Sequence, residues 1–332
     1  MRLGVLAGGG TAWRESLEKV RIAESLGYEM VATGESWGPS TVPWMTLLAE
    51  HTERMSVGTS ILNIYSRSPA AIAQEFAMLE VISGGRMVCG LGSSGHRVIE
   101  HFHGIAFDRP LRRLREYAEI VNLLIRGDRL EYEGDIFRMG RGFRLDYERP
   151  RDHVPIYIAA ITPKSIQQTG EIADGIFPIH WPKNRFRALR KSLSDASESA
   201  GRPPDSVTIA PFTNVYVTDG SNDEAMWQAA RQPLFHYINR MGDFYWNMLA
   251  DNGFEAEVLG SRAAWGDRDR DGAMQAISDD MVREIEVIGP LESVGEQLAE
   301  RAASGAELQM VQMPRGSAAE AGARLEALLR VG

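Results

Sequence analysis

Short apolar runs recur along this chain, and each is followed by a longer segment whose apolar residues return every three or four positions. Such runs suit strands buried on both faces, and the longer segments suit helices with one apolar stripe. The strand candidates are Leu3–Ala7, Met30–Thr33, Met55–Leu62, Arg86–Leu91, Ile156–Ala160, Gly175–Ile179, Val207–Val217 and Leu308–Met313. Helical patterns lie at Arg14–Leu26, at Ala70–Ile82, from Pro110 to a stop at Gly127, from Pro163, and at Asn184–Ala200, Ser293–Ser304 and Ala318–Leu329. Ser293 and Glu296 are spaced as a capping box. Eight strand–helix units predict an α/β fold, a (β/α)8 TIM barrel more than an open sheet. Residues 128–150, with Gly134, Gly140 and Gly142 among aromatics, read as a rim hairpin. Residues 221–285 read as a helical insertion before the last strand. No Pro- or Ser-rich linker sets off a second domain, so residues 1–332 read as one.

Composition removes several classes. The single cysteine, Cys89, excludes an internal disulfide framework and a cysteine zinc site, and fits a reducing cytoplasm. Its apolar surroundings read as a buried thiol. A net charge of −9 argues against a nucleic-acid surface. Most of the excess lies between Asp219 and Glu284, with 13 acids against 6 bases, and reads as a solvated acidic face. No run approaches the ~18 apolar residues of a membrane span, and the opening MRLGVLAGGG is short for a signal peptide. The expectation is a soluble cytoplasmic protein.

Polar residues gather just past the strand candidates, where α/β enzymes keep their sites. Glu35, Ser36 and Trp37 follow the second, offering a carboxylate, a hydroxyl and an aromatic face to a ring-shaped ligand. Asn63, Tyr65, Ser66 and Arg67 follow the third, and Arg67 suits an anion. Gly90–Gly95 matches GxGxxG after the fourth. It reads as a tight pocket-lining turn, because a dinucleotide site would need those glycines to open a helix directly. His96, His101 and His103 come next. No carboxylate at helical spacing completes a metal set, and His96, nearest the strand, is the pocket candidate. Pro163 suits a first helical turn, leaving amides before it for a phosphate. Asp267–Gly272 resembles the start of an EF-hand loop, but Ser278 stands at its twelfth position. It reads as an exposed salt-bridged turn.

Four segments together resemble the bacterial luciferase-like family: ATGESW, VGTSILNIYSRSP, GGRMVCGLGSSG with FDRPLRRLREYAEIV, and YIAAITPKSIQQTGEIADGI. Within it they resemble the coenzyme F420-dependent branch that includes methylenetetrahydromethanopterin reductase. The resemblance implies a TIM-barrel oxidoreductase passing hydride between a deazaflavin and a small organic substrate. It implies a non-prolyl cis peptide at Ser60–Ile61, with Glu35, Asn63 and Gly92 also beside the cofactor. Phosphate contacts would fall near Ala160, Ile161, Thr162 and Gly175. Ser36, Trp37 and His96 would face substrate, and Glu35 or His96 would balance the hydride with a proton. Ser36 stands where the sugar-phosphate dehydrogenases of the group carry histidine, which speaks against that activity. Arg67, Lys164, Lys183 and Arg185 would form a basic track for the acidic cofactor tail. Alternatives are an FMN-dependent monooxygenase fed by a partner reductase and a catalytically silent cofactor-binding barrel. A homodimer through the second and third barrel helices is expected, with no metal, nucleic-acid or membrane partner.

Overall fold

The computed structural model describes residues 1–332. The strands are β1 Arg2–Leu6, β2 Met30–Thr33, β3 Ser56–Thr59, β4 Leu62–Asn63, β5 Met87–Gly92, β6 Leu130–Glu133, β7 Arg138–Phe143, β8 Ile156–Ile158, β9 Gly175–Ile176, β10 Thr208–Ile209, β11 Phe212–Thr213, β12 Val215–Val217, β13 Val287–Gly289 and β14 Leu308–Gln312. The helices are α1 Trp13–Leu26, α2 Thr41–His51, α3 Pro69–Ser83, α4 His96–His101, α5 Pro110–Ile125, α6 Pro163–Ile172, α7 Phe186–Ser199, α8 Asp223–Arg240, α9 Asp243–Leu249, α10 Glu255–Gly266, α11 Arg270–Gln275, α12 Asp279–Ile285, α13 Leu291–Ser304 and α14 Ala318–Val331.

The fold is α/β, on one curled parallel sheet ordered β10-β9-β8-β5-β3-β2-β1-β14-β11. The two ends of that path belong to one stretch of chain. Thr208–Ile209 pairs with β9, and Phe212–Thr213 pairs with β14. Pro211, which has no N–H to give a ladder, divides what the sequence presents as one strand, Val207–Val217. The inner face carries Leu6, Met30, Ala32, Val88, Tyr157, Phe177, Ala210, Leu308 and Met310 in a cluster of their own. The outer face packs on the helices in a larger core. Leu3, Met30, Val57, Met87, Ile156, Ile176, Ile209 and Leu308 are all buried, which explains why the strands lack a polar alternation.

The third strand departs from a simple ladder. Gly58 faces Val88, but Leu62 faces Leu91, so four steps on one strand match three on its neighbour. That is a bulge of one residue. The Thr59 hydroxyl seals it, accepting from the Gly90 amide at 2.9 Å and donating to the Gly90 carbonyl at 2.8 Å. A Cβ on Gly90 would lie 1.8 Å from the Thr59 carbonyl oxygen, so no side chain fits there.

Residues 130–143 pair as an antiparallel hairpin, β6 with β7. Buried Glu116 on α5 anchors it, accepting the amides of Asp135, Ile136 and Phe137 at 2.8–2.9 Å. Burial opposes that charge, but the three amides prevail and hold the carboxyl below its usual range. Helices α8–α12 lie between β12 and β13.

Three local readings are corrected. Helix α13 begins at Leu291 after Pro290, so Ser293 lies inside it and forms no capping box. A short helix, α4, follows Gly95 at once. It opens from a curled sheet whose β5 lies between β3 and β8, which is not the setting of a dinucleotide fingerprint. Asp269 caps α11 through the Gly272 amide at 2.8 Å instead of pairing with the neighbouring arginines.

Gly90→Ala forces the bulge apart and lowers unfolding free energy by about 3 kcal/mol in urea denaturation. Glu116→Gln costs about 1–3 kcal/mol, with hydrogen exchange accelerated first in residues 130–143. Because the Glu116 carboxyl is depressed, its contribution is present above the ordinary carboxylate pKa of ~4.3 and fades as pH falls through the folded value.

Candidate active site

The pairs of the main sheet are parallel, so the carboxyl ends of β2, β4, β5, β8 and β9 share one mouth. The bulge brings the third-strand loop toward the β2 loop. The peptide Ser60–Ile61 is cis. The Ser60 amide donates to the Thr33 carbonyl at 2.7 Å, and the Glu35 amide to the Ile61 carbonyl at 3.2 Å. Asn63 is buried, and its side-chain oxygen accepts the amides of Tyr65 and Ser66 at 3.0 and 2.8 Å. Its Nδ2 lies 3.4 Å from His103 Nε2, so His103 reaches the mouth as well.

Glu35 is fully engaged. Arg67 donates to both its carboxylate oxygens, at 2.6 and 3.0 Å, and the Thr41 amide adds a third bond at 2.8 Å. Burial opposes the charge, but Arg67 and the Thr41 amide outweigh it and hold the carboxyl below its usual range. The same guanidinium reaches Glu75 on α3 at 3.3 Å. Burial pushes the Glu75 carboxyl up, Arg67 only partly offsetting it, and its Oε2 has no partner. Two carboxylates thus share one cation, and Glu35 has the better geometry. Glu35 ties the β2 and β4 loops together and is not a free acid or base. In this arrangement both Glu35 oxygens and the Arg67 guanidinium are committed to each other.

The remaining residues divide. Ser36 and Trp37 are exposed in the β2 loop, Trp37 by 56%. His96 is half-buried at the start of α4, its ring 6.4 Å from that of Phe107. Ile61 is half-buried and packs on the inner cluster, and a Cβ on Gly92 would come within 2.9 Å of its Cδ1. The bulge therefore sets an apolar step, with Asn63 and the His96 loop about it, that suits the face of a planar ring. Ala160, Ile161, Thr162 and Gly175 follow β8 and open β9. The Thr162 amide is taken by Ser165 Oγ at 3.0 Å, and the Ser165 amide by Thr162 Oγ1 at 3.3 Å. Pro163 has no N–H, so the expected row of free amides is largely spent on this capping box. Lys183 pairs with Glu300 at 3.1 Å. Arg185 instead lines a cavity of about 560 Å³ between α6, α7 and residues 248–252, with Ile166, Trp181, Leu189, Met248 and Asn252. Cys89 is fully buried, and burial raises its thiol, which removes it as a nucleophile. No cluster of three metal-ligating side chains occurs.

The fold and its mouth define an α/β enzyme architecture with the site at the sheet's carboxyl ends. The family described as luciferase-like monooxygenase matches residues 1–308. The chain belongs to this luciferase-like family of oxidoreductases. A Mycobacterium tuberculosis protein, named as a proposed coenzyme F420-dependent oxidoreductase, is 29% identical over 331 residues, covering 94% of each chain. The 5,10-methylenetetrahydromethanopterin reductase of Archaeoglobus fulgidus is 26% identical over 303 residues, covering 90% of this chain and 89% of its own. The solved coenzyme F420-dependent tetrahydromethanopterin reductase of Methanopyrus kandleri superposes with a TM-score of 0.83 at 20% identity, covering 98% of this chain and 96% of that one. That last likeness is one of fold.

Glu35→Gln lowers stability by about 2 kcal/mol at neutral pH, whereas Glu75→Gln leaves it level or raises it. The signs follow from the two shifts. The depressed Glu35 contributes above ~4.3 and loses that contribution as pH falls; the raised Glu75 costs stability while ionised, and the cost is relieved as pH falls. Denaturant midpoints of both variants across acid pH check the pair.

Proposed function

We propose that this chain is a coenzyme F420-dependent oxidoreductase, a (β/α)8 barrel with a helical insertion, that moves hydride to or from a small organic substrate. The observation that carries the reading is the near full-length match to a relative named for F420. The apolar step of Ile61 at a mouth edged by hydrogen-bonding side chains supports it. When bound, the deazaflavin supplies the hydride-accepting or hydride-donating carbon.

The chain's own residues would do the rest. Ile61 and the backbone of Ser60 and Gly92 support the ring, and Asn63, fixed by its two amides, meets its edge. His96 is the proposed proton donor or acceptor, since Glu35 is spent on Arg67. Trp37 and Ser36 stand on the open side, where a substrate enters and water is excluded on closure. A phosphate or acidic tail near Thr162 would meet the Lys164 amide and the Lys164 and Arg185 side chains.

No helix is long and apolar enough to cross a membrane, and we read the protein as cytoplasmic. Met78 and Val81 on α3 are exposed, which supports a homodimer on that face.

Titration of the purified protein with coenzyme F420 and, separately, FMN tests the reading by fluorescence. F420 is expected to bind and FMN not. Preference for FMN would make the chain a flavin monooxygenase, and binding of neither would make it a silent barrel. In sedimentation, a Met78→Asp, Val81→Asp double variant is expected to convert the dimer to monomer.

A further inference from the structure

The insertion reaches the mouth at two points. Gly242, between α8 and α9, meets His96: a Cβ there would lie 3.7 Å from its ring. Met248 and Asn252 line a cavity between the insertion and helices α6 and α7, outside the mouth. Tyr237 on α8 meets His180, just past β9, edge to face at 4.6 Å. Tyr237 also stacks edge to face on Tyr245 of α9 at 4.7 Å. Both tyrosines are half-buried. Burial raises both phenols and no hydrogen bond relieves it, so they stay protonated as free donors.

His180 is an unusual support for this pair. It is only 4% exposed and adopts a φ of 50°, a left-handed conformation uncommon for non-glycine residues. Its Nδ1 lies 3.2 Å from buried Glu286, and its Nε2 has no partner. Four arginines of the insertion are engaged elsewhere. Arg231 and Arg283 pair with Asp279 and Asp280, while Arg240 and Arg262 lie over Trp265 and Trp246 at 4.9 and 4.5 Å. The wall that Tyr237, Tyr245 and His180 form offers two phenols and an imidazole.

We propose that Tyr237 and Tyr245, backed by His180, form the substrate-side wall of the site, and that the Tyr237 hydroxyl hydrogen-bonds the oxygen of an uncharged carbonyl or alcohol substrate. This rests on the F420-dependent reading. A phenol offers an apolar face to the substrate body and a donor to its oxygen.

Ligand-observed NMR on the F420-loaded protein tests it, with cyclohexanone and acetophenone as neutral probes and glucose 6-phosphate as the charged comparator. At least one ketone is expected to bind and glucose 6-phosphate not. Tyr237→Phe is expected to weaken the ketone about five- to tenfold with cofactor affinity unchanged. Binding of glucose 6-phosphate, failure of both ketones, or equal ketone binding by Tyr237→Phe overturns the proposal. The cofactor titration on the same samples reports separately on the F420 reading. If F420 fails to bind, the same titrations on the protein alone still decide the role of Tyr237.

Discussion

One extra residue in the third strand sets the geometry on which the mouth depends. Side chains on a strand alternate faces, so a one-residue insertion reverses the sense of everything after it. Val57 packs outward with the helices, and an unbroken strand would send Ile61 outward too. After the bulge, Ile61 turns to the inner cluster and Leu62 to the helical core. Both the apolar step of Ile61 and the packing of the strand end follow from that slip. It persists because the Thr59 hydroxyl replaces the lost ladder bonds and because Gly90 has no side chain.

The same slip delivers Arg67 to Glu35. Removing two charges from water is costly unless geometry and extra hydrogen bonds repay it, and here the pair is bidentate with the Thr41 amide completing it. The arrangement serves order more than chemistry. It fixes where the loops after β2 and β4 stand, and leaves proton transfer to side chains that are free to change partners.

The strands were legible in the sequence because both their faces are buried, which leaves continuous apolar runs. Their interruptions were less so. Pro211 marks one break openly, but the slip at Ser60–Ile61 leaves no compositional trace and came only through family resemblance. Helix α2 was missed because Pro43 sits in its first turn, among residues that also suit a loop. Glu35 looked catalytic from its place after a strand; its partner lies 32 residues on, and no local pattern announces a salt bridge at that distance. His180, Tyr237 and Tyr245 carry no motif, and only the folded insertion brings them together.

Helices α8–α12 begin after β12 and end before β13, and these two strands are paired in register, Val215 with Val287 and Val217 with Gly289. Paired strands lie about 4.8 Å apart, so the whole excursion begins and ends at one narrow neck. Its length and content are therefore nearly free of the register of the barrel. A chain built this way can exchange its cover as a cassette while the bulge at Ser60–Ile61 stays untouched.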